Sequence, residues 1–183
     1  MSIVDGKYRH GLRRMIGRST GEHGRTASPL ELLFDLTFVA AFGVAGSELA
    51  HGIAEGHWSS AAGAFAFSMF ALVWAWINVS WFASAFDTDD WLFRVLTMVQ
   101  MSGVIIVAIG LPELFASIAE GAVVDNRVMV AGYVVMRVAL ILQWLRAAAA
   151  DPAYRTAATS YVAFVGTAQV GWIVLAILPL GFT

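Results

Sequence analysis

Asp35 and Arg137 are charged residues that lie deep inside apolar stretches of this sequence. At the rise of an α-helix, Asp35 lies about 10 Å into its stretch and Arg137 about 15 Å into another. A charge at such depth is costly unless it is paired or hydrated, and arginine hardly ever deprotonates. We therefore predict that the two residues pair, with Glu48 as the second candidate partner of Arg137. The pair is either a structural clamp or part of an ion, proton or ligand site.

Uncharged polar residues at a depth similar to that of Asp35 extend this pattern to other segments, namely Asn78, Gln100 and Gln143. Glu31 lies one helical turn before Asp35 and on the same face, where Ser28 and Pro29 are typical of a helix start. The layer is either a hydrogen-bond network that holds helices together or a binding site. The nearby indoles of Trp74 and Trp76 either pack between helices or line a cavity.

A short acidic loop is the densest group of carboxylates. Asp87, Asp89 and Asp90 lie within four positions, and Arg94 follows them. Three carboxylates could bind a divalent cation through oxygen ligands, but the spacing does not match an EF-hand loop. The pattern favours a simpler role, in which Asp89 or Asp90 caps the next helix and Arg94 pairs with one of them.

Other chemistry has weaker support. Glu48, His51, Glu55 and His57 lie within ten residues and could take zinc, although a solvated helix end is favoured. The sequence contains no cysteine, which excludes a cysteine-ligated metal site. No hydrolase triad, phosphate-binding loop or nucleic-acid surface is evident. We therefore predict no metal site and no nucleic-acid partner, assign no cofactor, and favour a protein that is not an enzyme.

The composition indicates a membrane protein. Hydrophobic residues make up 59% of the 183 residues and charged residues 13%, against about 45–50% and 25% in soluble domains. A helix needs about 20 apolar residues to cross a bilayer. Five segments qualify: Pro29–Ala50, Trp58–Phe86, Trp91–Leu111, Arg127–Ala149 and Thr156–Leu180. The predicted fold is therefore an all-α bundle of five transmembrane helices over residues 28–183.

The basic residues predict the orientation of the bundle. With the N-terminus inside, nine of the eleven Lys and Arg residues face the cytoplasm, as the positive-inside rule requires. The C-terminus then lies outside. Residues 1–27 form a basic cytoplasmic arm, in which four arginines are expected to contact the inner leaflet or a partner: Arg9, Arg13, Arg14 and Arg18. The alternative is a tail that only fixes the topology.

Two longer motifs resemble those of the bacterial low temperature requirement A family of membrane proteins. The first is the run Ser28–Val39, and the second extends from Trp74 through Trp81-Phe82 to Asp90, with Arg94 after it. Leu111-Pro112, Tyr133 with Arg137, and Tyr154-Arg155 also fit the family pattern. The resemblance implies a bacterial inner-membrane protein with several spans. It implies no mechanism.

One departure from the family concerns length, since its members usually have about twice this length and a second set of helices. The chain is then a natural half-length relative, a fragment or one partner of an assembly. A second five-span unit would enter the membrane inverted, which is a common transporter plan.

Two functions follow as hypotheses. The first is a transporter or ligand-binding half-unit with a buried polar site, which acts as a homo-oligomer. The second is a structural or accessory subunit that packs against a larger membrane complex through small residues.

Overall fold

Five long helices make up the fold. The computed structural model describes Met15 and residues 28–86, 88–121 and 123–178. The helices are α1 (Pro29–Ala54), α2 (Trp58–Ala85), α3 (Trp91–Ala119), α4 (Arg127–Ala150) and α5 (Arg155–Ile177). Each is long and apolar enough to cross a membrane. The predicted all-α bundle of five membrane-spanning helices is confirmed.

Local hydrogen bonds explain where two of these helices begin. Ser28 and Glu31 form a capping box at the start of α1, since each side chain accepts a hydrogen bond from the other residue's backbone N–H. Asp90 caps α3 by accepting from the N–H of Phe93 at 2.9 Å. These bonds satisfy amide groups that a helix end otherwise leaves without partners. Both caps agree with the sequence prediction.

The third helix is longer than the sequence indicated. We expected this span to end at Leu111, but α3 continues through Pro112 to Ala119. Proline removes one backbone N–H from the helix. Pro112 lies about 32 Å from the start of α3, near the edge of a hydrocarbon layer about 30 Å thick. At such a depth a carbonyl that loses its partner would be within reach of interfacial water, which is consistent with the helix continuing past the proline.

Glycines bring α3 and α4 into backbone contact. A Cβ added to Gly132 would lie 2.6 Å from the Gly103 carbonyl oxygen, and one added to Gly110 would lie 2.5 Å from the Met129 nitrogen. In lipid the hydrophobic effect does not drive helices together, so they associate through close packing, and small residues permit that close approach. α3 packs most extensively on α4, while α1 packs on α2 and α3, and α5 packs on α4.

The two ends of the bundle differ in character. At the end where α1 begins, here called the Ser28 end, the rings of Phe86 and Tyr154 lie 5.3 Å apart and Arg146 binds Asp90. At the opposite end, the short connection around Glu55 joins α1 to α2. Large apolar side chains are exposed along every helix, as expected of surfaces that contact lipid.

The arm contributes one described residue to the bundle. Met15 is fully buried and belongs to the main hydrophobic cluster, together with residues of α1 to α4. The other residues of the arm, including Arg9, Arg13, Arg14 and Arg18, lie outside the described part of the chain.

Candidate ligand site between the first three helices

A cavity of about 200 Å³ lies between α1, α2 and α3 toward the Ser28 end. A volume of this size holds several water molecules or a small organic ligand. Its walls are lined by Leu30, Glu31, Phe34, Asp35, Trp76, Val79, Ser80, Phe82, Ala83, Phe93, Thr97 and Gln143. Three of the predicted layer residues, Glu31, Asp35 and Gln143, are thus brought to one cavity.

The two carboxylates of this cavity have different roles. Glu31 accepts a hydrogen bond from the backbone N–H of Ser28 at 2.9 Å, so it helps to cap α1. Asp35 lies one turn further along and accepts from the indole N–H of Trp76 at 2.8 Å. This bond joins α1 to α2 and holds the Asp35 carboxylate at the wall of the cavity. Trp76 therefore lines a cavity, which was one of its two expected positions.

The predicted pair of Asp35 and Arg137 is wrong. Arg137 donates to the Tyr133 hydroxyl at 3.2 Å, and its guanidinium lies 4.9 Å from the centre of that ring. Within the described chain, neither Asp35 nor Glu48 forms an ion pair with it. The cause is rotation about α4. Gln143 faces the cavity, and Arg137 lies six residues away, or about 120° around the helix.

A chain of hydrogen bonds stiffens the wall of the cavity formed by α3 and α4. The Gln100 amide donates to the Gln143 oxygen at 2.8 Å, and the Gln143 amide donates to the Thr97 hydroxyl at 3.4 Å. Thr97 in turn donates to the Phe93 carbonyl at 2.9 Å. All three polar side chains are buried. Because each is held by its neighbour, the wall presents fixed polar groups to the cavity.

The remaining layer residues form a second group, on the side of α4 that faces α5. Asn78 accepts a hydrogen bond from the Tyr161 hydroxyl and donates to the Trp74 carbonyl. Tyr133 donates to the Ala71 carbonyl at 2.8 Å and accepts from Arg137. The predicted layer is therefore two separate sets of contacts, because depth along a helix does not fix the direction in which a side chain points.

The acidic loop uses its carboxylates for structure. Arg94 forms two hydrogen bonds to Asp89, at 2.9 and 2.8 Å, as predicted. Asp90 caps α3 and also binds Arg146, whose Nη1 lies 2.9 Å from Oδ1. Asp87 lies outside the described residues. These contacts favour the capping role over a cation site.

The histidine-rich segment at the opposite end forms one exposed contact. His51 Nε2 lies 3.3 Å from Glu55 Oε1, one helical turn away. Among the described residues, no three His, Cys, Asp or Glu side chains group closely enough to hold a metal ion.

Sequence analysis missed several partners that the structure shows. Thr97 and Tyr161 are in contact with predicted residues, and Arg146 is the second partner of Asp90. For Arg146 the sequence did carry a signal, because Arg146 lies near the end of α4 and α3 begins at the same end of the bundle. Thr97 and Tyr161 gave no such signal, because their orientation depends on helix rotation.

The fold and the site define a multi-pass α-helical membrane protein with a partly open cavity between its helices, lined by apolar side chains and a few polar ones. The family model of the bacterial low temperature requirement A protein (LtrA) matches residues 26–183. The chain belongs to this family.

Other comparisons add little about function. The chain is 35% identical over 89 residues to an uncharacterized protein of Rhizobium meliloti. The match takes in 49% of this chain and 21% of that protein, so the matched segment spans only about a fifth of the curated relative. No solved structure matches.

Proposed function

We propose that this protein is the ligand-binding unit of a membrane transporter and that it takes a small cation in the cavity between α1, α2 and α3. The observation that carries the proposal is the Asp35 carboxylate, an exposed side chain at the wall of a partly open, mainly apolar cavity. Ionisable groups inside membrane spans commonly mark ion or substrate pathways. Asp35 also keeps acceptor capacity, because a carboxylate has two oxygens and Trp76 occupies one of them.

The remaining lining supports a cationic ligand. Glu31 adds a second acid, and Ser80, Thr97 and Gln143 add neutral polar groups, whereas no Lys or Arg is among the described lining residues. Trp76 and Phe34 line the same space, and aromatic faces attract cations. A small cation would therefore meet negative charge and aromatic faces together.

The setting of this unit is also proposed. The basic arm favours a bacterial inner-membrane protein with its N-terminus in the cytoplasm. The cavity then lies nearer the cytoplasmic side. Since five spans reverse the direction of the chain, a second unit of similar size would be inverted relative to the first. We propose that such a unit, or a second copy of this chain, completes the transport path.

A second candidate function is an accessory subunit of a larger membrane complex. The outer faces of α1 and α5 favour it, since an added Cβ at Gly43, Gly166 or Gly171 would meet nothing within 4 Å. These faces could admit another helix at close range. Mass measurement in nanodiscs tests assembly, because a functional monomer would exclude both a completing copy and an obligate complex.

The decisive experiment measures cation binding directly. Purified protein in nanodiscs is titrated with sodium, potassium, magnesium, guanidinium or tetramethylammonium at constant ionic strength, and thermal unfolding is followed. We expect at least one of these cations to give a saturable increase in Tm. Asp35→Asn should abolish the increase, and Glu113→Gln, which alters an exposed acid of α3, should preserve it.

Transport is then tested separately from binding. Proteoliposomes should take up the cation that stabilises the protein, and Asp35→Asn should stop the uptake. Saturable binding without uptake would favour the accessory subunit. A lack of response to every cation, or an equal response in Asp35→Asn, would contradict the proposed site.

A further inference from the structure

Two aromatic pairs fix the register between α4 and α5. The rings of Trp144 and Tyr161 lie 4.6 Å apart, and those of Tyr133 and Trp172 lie 5.3 Å apart. Arg137 follows Tyr133 by four residues, and Gln169 precedes Trp172 by three. Because the helices are antiparallel, this register places Arg137 and Gln169 at one level between the two aromatic pairs.

Arg137 is a buried cation with few partners. Its relative exposure is 5%, and its one hydrogen bond within the described chain goes to the Tyr133 hydroxyl. A guanidinium carries five N–H donors and keeps its charge at any physiological pH. The aromatic ring of Tyr133 offers partial compensation through its face. Neither the hydroxyl nor the ring of Tyr133 carries a negative charge, so the positive charge of Arg137 is not neutralised by these contacts.

Gln169 is an independent sign of a ligand at the same level. Its relative exposure is 8%, and neither its Nε2 nor its Oε1 has a hydrogen-bond partner among the described residues. Leaving a buried amide without partners costs free energy. An amide N–H and a guanidinium at one level of two packed helices can both donate to a single acceptor placed between them.

We propose that a small monovalent anion, either chloride or a carboxylate, binds between Arg137 on α4 and Gln169 on α5. Such an anion accepts hydrogen bonds from both side chains and neutralises the guanidinium. Water could satisfy the hydrogen bonds but would leave the charge uncompensated, and an unpaired buried charge is strongly destabilising. Arg137 points about 120° around α4 from the cavity-facing Gln143, and it does not line the cation cavity, so the anion site does not depend on the proposed function.

The anion is tested by exchange at constant ionic strength. Protein in nanodiscs is moved from sodium isethionate, whose anion is bulky, into increasing chloride or acetate, and thermal unfolding is recorded. We expect a saturable increase in Tm with at least one of the two anions, and the more effective one identifies the source. Arg137→Gln should abolish the response.

Companion variants separate binding from folding. Gln169→Leu replaces the buried amide with an apolar side chain. It should weaken the apparent anion affinity about tenfold, which is the cost of losing one charge-assisted hydrogen bond. Thr167→Val changes an exposed polar side chain on α5, whose hydroxyl bonds only the Ala163 carbonyl, and should leave the anion response unchanged. A response that never saturates, that is absent for both anions, or that is equal in Gln169→Leu and the unmodified protein would overturn the proposal.

Discussion

A hydrogen bond joins α1 to α2: the Trp76 indole N–H donates to the carboxylate of Asp35, which lies about 10 Å from the start of α1. A bond to a charged acceptor contributes more than a neutral one, typically about 1.5–3 kcal/mol. Asp35→Leu and Trp76→Phe should each lower the free energy of unfolding, and the double variant should lose less than the sum. A thermal double-mutant cycle in detergent measures this coupling.

The cycle has a control within the same protein. Asp35→Leu combined with Arg137→Leu should be additive to within about 0.5 kcal/mol, because the two side chains share no contact. Strong coupling in this second cycle would restore the pair that the sequence predicted and would contradict the observed geometry.

The contact between Asp90 and Arg146 is the best buried ion pair of the described chain, since their side chains are 3% and 16% exposed. Removing one partner leaves the other charge buried, which costs about 3–5 kcal/mol. Asn caps helices as well as Asp does, so Asp90→Asn isolates the loss of charge. We expect that loss in the free energy of unfolding, with partial recovery when Arg146→Met is added.

The exposed pair beside it provides the comparison. The side chains of Asp89 and Arg94 are 50% and 55% exposed, and such pairs contribute about 1 kcal/mol or less. Asp89→Asn should therefore have a small effect. Equal losses for Asp89→Asn and Asp90→Asn in chemical unfolding would show that burial does not govern these pairs.

The contact of α3 with α4 depends on glycine. A Cβ at position 132 would lie 2.6 Å from both the Gly103 carbonyl oxygen and the Val107 nitrogen, and neither backbone atom can move without shifting its helix. Overpacking of this kind costs about 1–3 kcal/mol. Gly132→Ala should lower the unfolding temperature.

Gly166 on α5 offers a matched control. A Cβ there would meet nothing within 4 Å, and alanine favours a helix over glycine by up to about 1 kcal/mol. Gly166→Ala should leave stability unchanged or raise it slightly. If both alanine variants unfolded at the same temperature, close packing between α3 and α4 would not explain the glycines.

The sequence predicted the helices far better than their contacts. Apolar length predicted five spans. Ser28 predicted one cap, and the choice of Asp89 or Asp90 predicted the other, because these features depend on neighbouring residues. The pairing of Asp35 with Arg137 failed because depth along an axis says nothing about rotation. A helix that is apolar nearly all round gives little indication of how it is rotated about its axis. The sequence therefore did not predict the contacts of Trp76, Tyr161 and Gln169, which only the structure shows.

The orientation of the bundle in the membrane is a prediction from the basic residues. In a five-span topology, nine of the eleven Lys and Arg residues would share the side of the N-terminus, which predicts an N-terminus inside and a C-terminus outside. Reporter fusions after Thr183 and between residues 87 and 90 should report opposite sides. Two reporters on the same side would defeat the five-span topology.

The burial of Met15 implies an order of events during synthesis and folding: the helices must be in place before Met15 can be buried. Residue 15 leaves the ribosome before any of the helices that supply the rest of its cluster, so it cannot reach its final position until those helices are inserted. Since the native sequence has no cysteine, Met15→Cys would be a unique thiol in the chain. The time at which this thiol becomes protected from a maleimide would then report when the last helix needed for that cluster has packed.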